Sequence, residues 1–365
     1  MRVLHLVQSL AHGGQERIVL DIVKTAPTGT QVGIVVGRRG GALEQLAIES
    51  GSTVLQVPTR GLAARAVALR RILEVQKPDV LHAHNAWSVI LAATALPLGR
   101  PPFAMIATRH GDWLPTNPIG RLQFRLACRR FDAIASVSAA SASSALLKGY
   151  VRPGQSLVAP NGIDLSAISI VPDSVPCHRP TTLLFVGRLE RIKGLDVLLP
   201  AIGILRDRGT LVSLRVIGEG SERRALEAMS RTLGLESQVE FTGALLDVRP
   251  YLRLSAFGVL PSRSEGQSVS VMEMMAAGLP VIATAVGGTP ELVTHGITGY
   301  LAPPEDSTGL ADTIGVALHD RENNSDLGAR ARAYALDHFS AEAMQARYQS
   351  AYVNAMTGAG IGVSR

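Results

Sequence analysis

The sequence predicts two doubly wound parallel α/β sheets in succession, and three observations predict them. Short apolar runs without polar alternation recur along the whole chain, as strands buried on both faces do. A glycine-bearing loop follows most of these runs, and an amphipathic stretch follows the loop, which is the order of a parallel sheet with crossover helices. With 365 residues, 46% hydrophobic and 18% charged, the chain is long enough for two cores of ordinary size.

The opening MRVLHLVQSL reaches a glycine turn within a dozen positions and shows no small-residue cleavage site, so RVLHLV reads as a first strand rather than a signal peptide. Gly13 and Gly14 follow it, ahead of a helix expected to start near Glu16; they suit either a tight turn or close approach of the backbone to a phosphate. QVGIVV and TVLQV are the next strands. LAARAVALRRILEVQ is a helix that stops before Lys77-Pro78, where the residue preceding proline leaves the helical region. DVLHAH, FAMIAT, AIASVS and SLVAP complete the first set of strands. His82 and His84 end one of them at the i, i+2 spacing of a shared face, a hint of zinc; no carboxylate or cysteine completes a ligand set, so the expectation is cleft-lining or core histidines. His110 in TRHG stands at another strand end before a glycine, and is a candidate site residue or a polar strand end. SAISIVPDSVPCHRP, with three prolines and little periodicity, reads as a hinge.

The second set is TLLFVG, SLRVIG, VEFTG, FGVLP, PVIAT and GYLAP. Helices are expected at ADTIGVALHD and NSDLGARARAYALDHF, and a last segment at AEAMQARYQSAYVNAM; the tail TGAGIGVSR is expected to be disordered. Gly218 and Gly220 resemble a fragment of a dinucleotide fingerprint that lacks its third glycine, and carry no such reading.

Chemistry concentrates at PSRSEGQSVSVMEMMAAGLP, residues 261–280. The preceding AFGVL, stopped by Pro261, is a buried parallel strand, so the turn after it lies at the carboxyl edge of the sheet, where ligands bind and a new helix offers unpaired N–H groups to an anion. Glu265 in the loop and Glu273 about two turns later could grip two hydroxyl-bearing parts of one ligand, a sugar and a ribose on either side of a diphosphate. The plainer alternative makes Glu265 a solvated acid and Ser270-Val-Met-Glu273 a capping box. TTLLFVGRLERIKGLDVLLPAI is a second strand, glycine turn and helix. It carries Arg188 and Lys193, two cations of the kind a departing diphosphate needs, or else ordinary surface charges.

Charge is uneven: residues 1–160 hold 18 Lys and Arg against 8 Asp and Glu, and residues 161–365 hold 18 against 22. A basic first half suits an anionic surface or substrate. Nucleic acid is disfavoured, because aromatic residues are only 4% and neither a stacking platform nor a basic arm is present. In IGRLQFRLACRRF, Arg121, Arg125 and Arg129 recur every four residues beside Leu122, Phe124, Leu126 and Phe131. That helix could lie on an anionic bilayer, or could be a solvated helix whose apolar residues belong to the core. No apolar window reaches membrane-spanning length. Cys128 and Cys177 are too few for a disulfide framework or a metal site, which fits a reducing cytoplasm.

With these residues in view the chain resembles the retaining glycosyltransferases of family 4, of GT-B fold, over nearly its whole length. The resemblance rests on ordered motifs: HLVQSLAHGGQER, DVLHAH, TRHG, PNGID, FVGRLERIKGLDVLL, VIGEGSERRALE, VEFTG, the Glu265-to-Glu273 element within SRSEGQSVSVMEMMAAGLPVIAT, and GGTPELVTHGITGYLAPPED. It implies two Rossmann-like domains facing a cleft, an acceptor-side domain at 1–170 and a nucleotide-sugar domain at 181–338, with a helix at 339–357 crossing back to the first. It implies that Glu273 holds the ribose, that Glu265 lies by the transferred sugar, that Arg188 and Lys193 bind the diphosphate beside Gly187, and that Gly14 packs against it from the other domain. His110 is implied to face the sugar, and the backbone at Gly266, Gln267 and Ser268 to touch it. Many relatives carry an aromatic or aliphatic residue where this chain has Gln267 and Ser268, so the sugar stays open.

The activity implied is transfer from a UDP- or GDP-sugar to a hydroxyl of a glycolipid, lipopolysaccharide or exopolysaccharide precursor, at the inner face of the cytoplasmic membrane. Neither cofactor nor metal is expected, because no D-x-D pair is present. A transferase for a soluble acceptor, a nucleotide-sugar epimerase of the same fold and a non-catalytic binding module are the rival readings.

Overall fold

A computed structural model describes residues 1–365 except 12, 59–60, 112–116, 169–180, 246, 324–325 and 359–365. Most of the expected hinge, Cys177 and the final tail, except Thr357 and Gly358, therefore lie outside the described residues; those two, expected to be disordered, end the last helix. The chain divides into two compact units, residues 1–162 with 341–365, and residues 163–340.

The first unit runs β1 (Arg2–Val7), α1 (Gly14–Lys24), β2 (Gln31–Val36), α2 (Glu44–Glu49), β3 (Thr53–Gln56), α3 (Leu62–Gln76), β4 (Val80–Ala83), α4 (Ala86–Ala95), β5 (Ala104–Arg109), α5 (Pro118–Cys128), β6 (Ala133–Ser136), α6 (Ala139–Leu147) and β7 (Ser156–Val158). Its seven strands are parallel, in the order β3-β2-β1-β4-β5-β6-β7. Alternate residues of the strands face opposite layers. Leu4, Leu6, Leu81, Ala83, Met105 and Ala107 pack with Leu69, Val89 and Phe124 of the helices on one side. Val7, Ile34 and Val36 pack with Val19, Leu20 and Val23 of α1 on the other.

The second unit runs β8 (Thr182–Val186), α7 (Leu195–Asp207), β9 (Ser213–Ile217), α8 (Arg223–Thr232), β10 (Val239–Gly243), α9 (Arg249–Leu254), β11 (Phe257–Leu260), α10 (Val269–Ala276), β12 (Val281–Thr284), α11 (Thr289–Leu292), β13 (Gly299–Ala302), α12 (Ser307–Asn323) and α13 (Leu327–His338). Its parallel sheet has the order β10-β9-β8-β11-β12-β13. The last helix, α14 (Ala341–Gly358), belongs to the first unit, where Met344, Tyr348, Tyr352 and Met356 form a buried stripe at four-residue spacing. Strand order reverses between β1 and β4 and again between β8 and β11, and a crevice opens at such a point beyond the carboxyl ends of the strands.

Two expectations are corrected. Phe124 and Phe131 supply no surface for a membrane: each is 2% exposed and sits in the core. The apolar residues that α5 does expose are Ile119, Leu122 and Leu126, because spacings of three and four send Phe124, Ala127 and Cys128 inward and turn these others out. The helix also ends at Cys128, so the arginine rhythm continues past it, with Arg129 as the C-cap. The Cys128 thiol is free and buried, and burial raises its pKa to about 12, which makes it inert.

The carboxyl-edge loops of the second unit touch through their backbones. At Gly194 φ is +70°, and an added Cβ would lie 2.0 Å from the carbonyl oxygen of Pro261. Gly209 has a similar φ of +83°, with nothing near its Cβ position. Gly209→Ala is therefore expected to cost only the left-handed conformation, about 1 kcal/mol. Gly194→Ala should cost about 3 kcal/mol, since a loop must also move. Urea midpoints followed by circular dichroism test the difference; equal shifts would mean that the loops do not press on each other.

Candidate active site

In the second unit the chain leaves β8 through a single 3₁₀ turn, Arg191–Lys193, and re-enters a helix at Leu195. The left-handed Gly194 makes that reversal. It brings Lys193 under the loop that follows β11, where Lys193 Nζ donates to Glu265 Oε1 at 2.6 Å, and Ser262 Oγ donates to the same oxygen at 2.6 Å. Only 18% of the lysine side chain and 9% of the glutamate side chain meet solvent. A charge taken this far out of water persists because its partner stays with it; removing one leaves the other buried and uncompensated. Glu265 is thus no ordinary solvated acid.

Neighbouring backbone holds the glutamate in place. Gly287, at φ +51°, lies so close that an added Cβ would be 1.8 Å from the Glu265 carbonyl oxygen, which also accepts from the Gly288 N–H at 3.3 Å. Arg263 fixes the same loop from the other side. Its guanidinium forks onto Asp196 at 2.7 and 2.9 Å and also donates to the Arg191 carbonyl and to Glu305. Its backbone N–H donates to Ile192 at 2.8 Å. The loops after β8 and β11 are therefore clamped to each other.

Helix α10 begins at Val269, with Ser268 as an N-cap whose hydroxyl caps no backbone N–H and instead bonds to Ser270 Oγ at 3.1 Å. Ser270 is already inside the helix, so the capping box with Glu273 does not form. Glu273 lies just over one turn into the helix and is half-buried. Gln267 and Ser268 are buried as well. Arg188 is placed differently from Lys193: it is 61% exposed and pairs with Glu190 at 2.7 Å. Gly187 is pressed by the next loop, for a Cβ on Gly218, whose φ is +151°, would lie 1.8 Å from the Gly187 carbonyl oxygen. Gly220 likewise abuts Leu189. These two glycines serve backbone packing.

The first unit holds a different arrangement at its own switch point. His5 of β1 pairs in register with His82 of β4, and His82 with Ile106 of β5. His5, His82 and His84 share one face and are fully buried. His82 is hydrogen-bonded to Tyr352 Oη and to Thr108 Oγ1, each at 2.8 Å, and Thr108 to Tyr348 at 3.0 Å. His84 joins His5 at 2.8 Å and His110 at 3.2 Å. Burial lowers the pKa of all four rings, to about 3 for His5 and His110 and well below the usual value for His82 and His84. It also raises Tyr348 to about 12 and holds Tyr352 well above the usual tyrosine value. The cluster is neutral at pH 7.

Nitrogens of His5, His82 and His84 lie within 4.8 Å of one another, the spacing of a three-histidine metal set. His5 is the third member that no local spacing in the sequence reveals, since it comes from a different strand, β1, which pairs with β4. Both nitrogens of His82 are already bonded to hydroxyls, so a metal would first have to displace Tyr352 or Thr108. The hydrogen-bonded arrangement satisfies the ring as it stands. Gly14 is the first residue of α1, two positions earlier than expected; Gln15 beside it donates to the His84 carbonyl at 2.7 Å. His5, the tyrosines of α14 and the Arg263 clamp are what sequence reasoning missed. Only the four-residue stripe in α14 left a signal that could have been read.

Comparison with known proteins identifies the family and the fold. Residues 12–167 match the family described as Glycosyltransferase Family 4, and residues 180–320 that described as Glycosyl transferases group 1. N-acetyl-alpha-D-glucosaminyl L-malate synthase of Bacillus anthracis is 26% identical over 322 residues, 83% of this chain and 82% of that protein. Glycogen synthase of Mycobacterium tuberculosis is 30% identical over 257 residues, 67% of this chain and 61% of that protein. The crystal structure of Anabaena Alr3699/HepE in complex with UDP-glucose superposes with a TM-score of 0.82 at 23% identity, over 97% of this chain and 100% of that one. The chain belongs to the family 4 glycosyltransferases and has their GT-B fold.

The neutral histidines set a pH limit on the first unit. Unfolded, each takes up a proton near pH 6.5; folded, burial opposes it. Stability is therefore complete above about pH 6.5 and falls as pH drops towards the folded value of about 3. Three fully buried rings give a slope of up to about 4 kcal/mol per pH unit. Both tryptophans, Trp87 and Trp113, fall within residues 1–162, so the urea midpoint by tryptophan fluorescence should drop steeply between pH 6.5 and 5. A flat profile there would mean that the rings are not held neutral.

Proposed function

We propose that this glycosyltransferase takes its sugar from a UDP- or GDP-sugar, retains the anomeric configuration and needs no metal. The observation that carries the reading is the buried Lys193–Glu265 pair at the switch point of the second sheet. There a diphosphate can take over the ammonium while the released carboxylate turns to sugar hydroxyls. The HepE complexes with UDP and UDP-glucose support a donor of this class. In this reading Arg188 leaves Glu190 to join Lys193 on the diphosphate beside Gly187. Backbone amides at Gly266, Gln267 and Ser268, opening α10, meet the sugar, and Glu273 holds the ribose. Gly14 and His110 are the first unit's residues for donor recognition.

Lys193, Arg188 and the start of α10 stabilise the charge that grows on the leaving diphosphate, the work a metal does elsewhere. As the bond from the anomeric carbon to phosphate oxygen breaks, its electron pair leaves with the phosphate. The acceptor oxygen bonds to the same face, and its proton passes to the departing phosphate oxygen.

The acceptor we propose is a hydroxyl of a glycolipid, lipopolysaccharide or exopolysaccharide precursor at the cytoplasmic face of a membrane. Support comes from α5, where exposed Arg121 and Arg125, with Arg129 at the C-cap, stand among exposed Ile119, Leu122 and Leu126. No helix among the described residues is long and apolar enough to cross a bilayer, so the contact would be peripheral.

Screening UDP-, GDP- and ADP-sugars by thermal shift should reveal one that raises Tm. For that donor, Glu273→Ala should weaken binding by about 2 kcal/mol, roughly thirtyfold in Kd by calorimetry. Transfer should survive EDTA; loss with rescue by Mg²⁺ or Mn²⁺ would overturn the metal-free route. Binding to anionic vesicles, read by flotation at low salt, should fall on the order of a hundredfold when Arg121, Arg125 and Arg129 are all changed to Ser. Failure of the unaltered protein to float would favour a water-soluble acceptor.

A further inference from the structure

The described histidines of the first unit form two hydrogen-bonded sets, one closed on hydroxyls and one linear. His82 closes on Tyr352 and Thr108. The other set is linear: His5 Nδ1 meets His84 Nε2, and His84 Nδ1 meets His110 Nε2. Its end nitrogens are His5 Nε2 and His110 Nδ1, and the latter is enclosed with no hydrogen-bond partner among the described residues. His110 follows the last residue of β5, and the His84 and His110 rings lie 5.4 Å apart at 24°, nearly parallel.

A neutral imidazole carries one N–H and one lone pair, so a bond between two such rings requires opposite roles at its ends. Three rings joined by two bonds are consequently locked in step. If His5 donates to His84, His84 must donate to His110, and His110 Nδ1 bears a hydrogen. If the order is reversed, His110 Nδ1 is a bare acceptor. No mixed state keeps both bonds. The character of His110 Nδ1 is thus tied to that of a ring two members away. A lone strand-end histidine would instead exchange tautomers with solvent and rotate.

We propose that His84 and His5 are positioning residues that hold His110 in one tautomer and one ring orientation, so that His110 Nδ1 presents a defined donor or acceptor to a substrate hydroxyl. The substrate half of this statement rests on the role proposed for His110 above, whereas the locking does not. Neighbouring groups on the packed elements, Tyr348 and Tyr352 of α14 and Thr108 of β5, bond to His82 or to one another and leave the linear set to itself.

The experiment is ¹⁵N spectroscopy of the histidine rings in the full chain. In the unaltered protein at pH 7.5, His110 should show the shifts of a single tautomer, and ¹⁵N–¹⁵N couplings should cross both ring-to-ring bonds. Averaged His110 shifts, or absent couplings, would overturn the proposal without any variant. His84→Phe and the more distant His5→Phe should each convert His110 to averaged tautomers, with tryptophan fluorescence confirming the fold. His82→Phe disturbs the same packing but not the linear set, and should leave the His110 tautomer as it was. A His110 tautomer unchanged in the first two variants would reduce His84 and His5 to packing. In a transfer assay the same two variants should lose about tenfold in kcat/KM. If the locking is seen and this loss is not, the role of His110 towards substrate fails and the positioning stands.

Discussion

The second unit depends on backbone meeting backbone at the carboxyl edge of its sheet. Parallel strands deliver every strand-to-helix loop to the same edge, so those loops crowd. Gly194 against Pro261, Gly218 against Gly187, Gly220 against Leu189 and Gly287 against Glu265 are contacts at which no Cβ fits. Because the loops can come this near, Lys193 reaches Glu265 across 72 residues of sequence. Once together, the two charges tolerate burial that neither would tolerate alone. Arg263, forked onto Asp196, keeps the two loops in one relation, so the pair waits in a fixed geometry rather than being assembled afresh.

The first unit has the same kind of strand order and the opposite electrostatics. At its switch point stand rings kept neutral by burial, covered by the tyrosines of α14. A neutral polar cluster of this kind directs hydrogen bonds without attracting counter-charge, and it is costly to leave half satisfied. His82 meets that condition with two hydroxyls. In the linear set the enclosed His110 Nδ1 does not meet it. One unit thus offers a charged pair that an anionic ligand could displace, and the other offers oriented neutral groups.

Surface chemistry divides along the same line. The basic excess lies within residues 1–160, and α5 places part of it among apolar residues that the core has not claimed. Ile119, Leu122 and Leu126 remain exposed because Phe124 and Cys128 already occupy the inward positions of an eleven-residue helix. The face left to solvent is therefore set by the packing of its opposite face.

The sequence by itself determined the strands and their order of connection. RVLHLV, DVLHAH, TLLFVG and FGVLP are legible because burial on both faces demands an unbroken apolar run, and such a run is a local property. It also marked Glu265, Glu273 and Lys193, since a strand-to-helix turn can be read from a dozen consecutive residues. Tertiary structure alone decided which of these meet. Lys193 pairs with Glu265 while Arg188 turns to Glu190, and His5 joins His84 although 79 residues separate them. It also decided that Ser270 lies inside α10 and caps nothing, and that Phe124 faces the core. The physical reason is common to all of these: hydrophobic period and turn chemistry act within a few residues, whereas the partner of a polar side chain is chosen by strand order and by how closely two loops can approach.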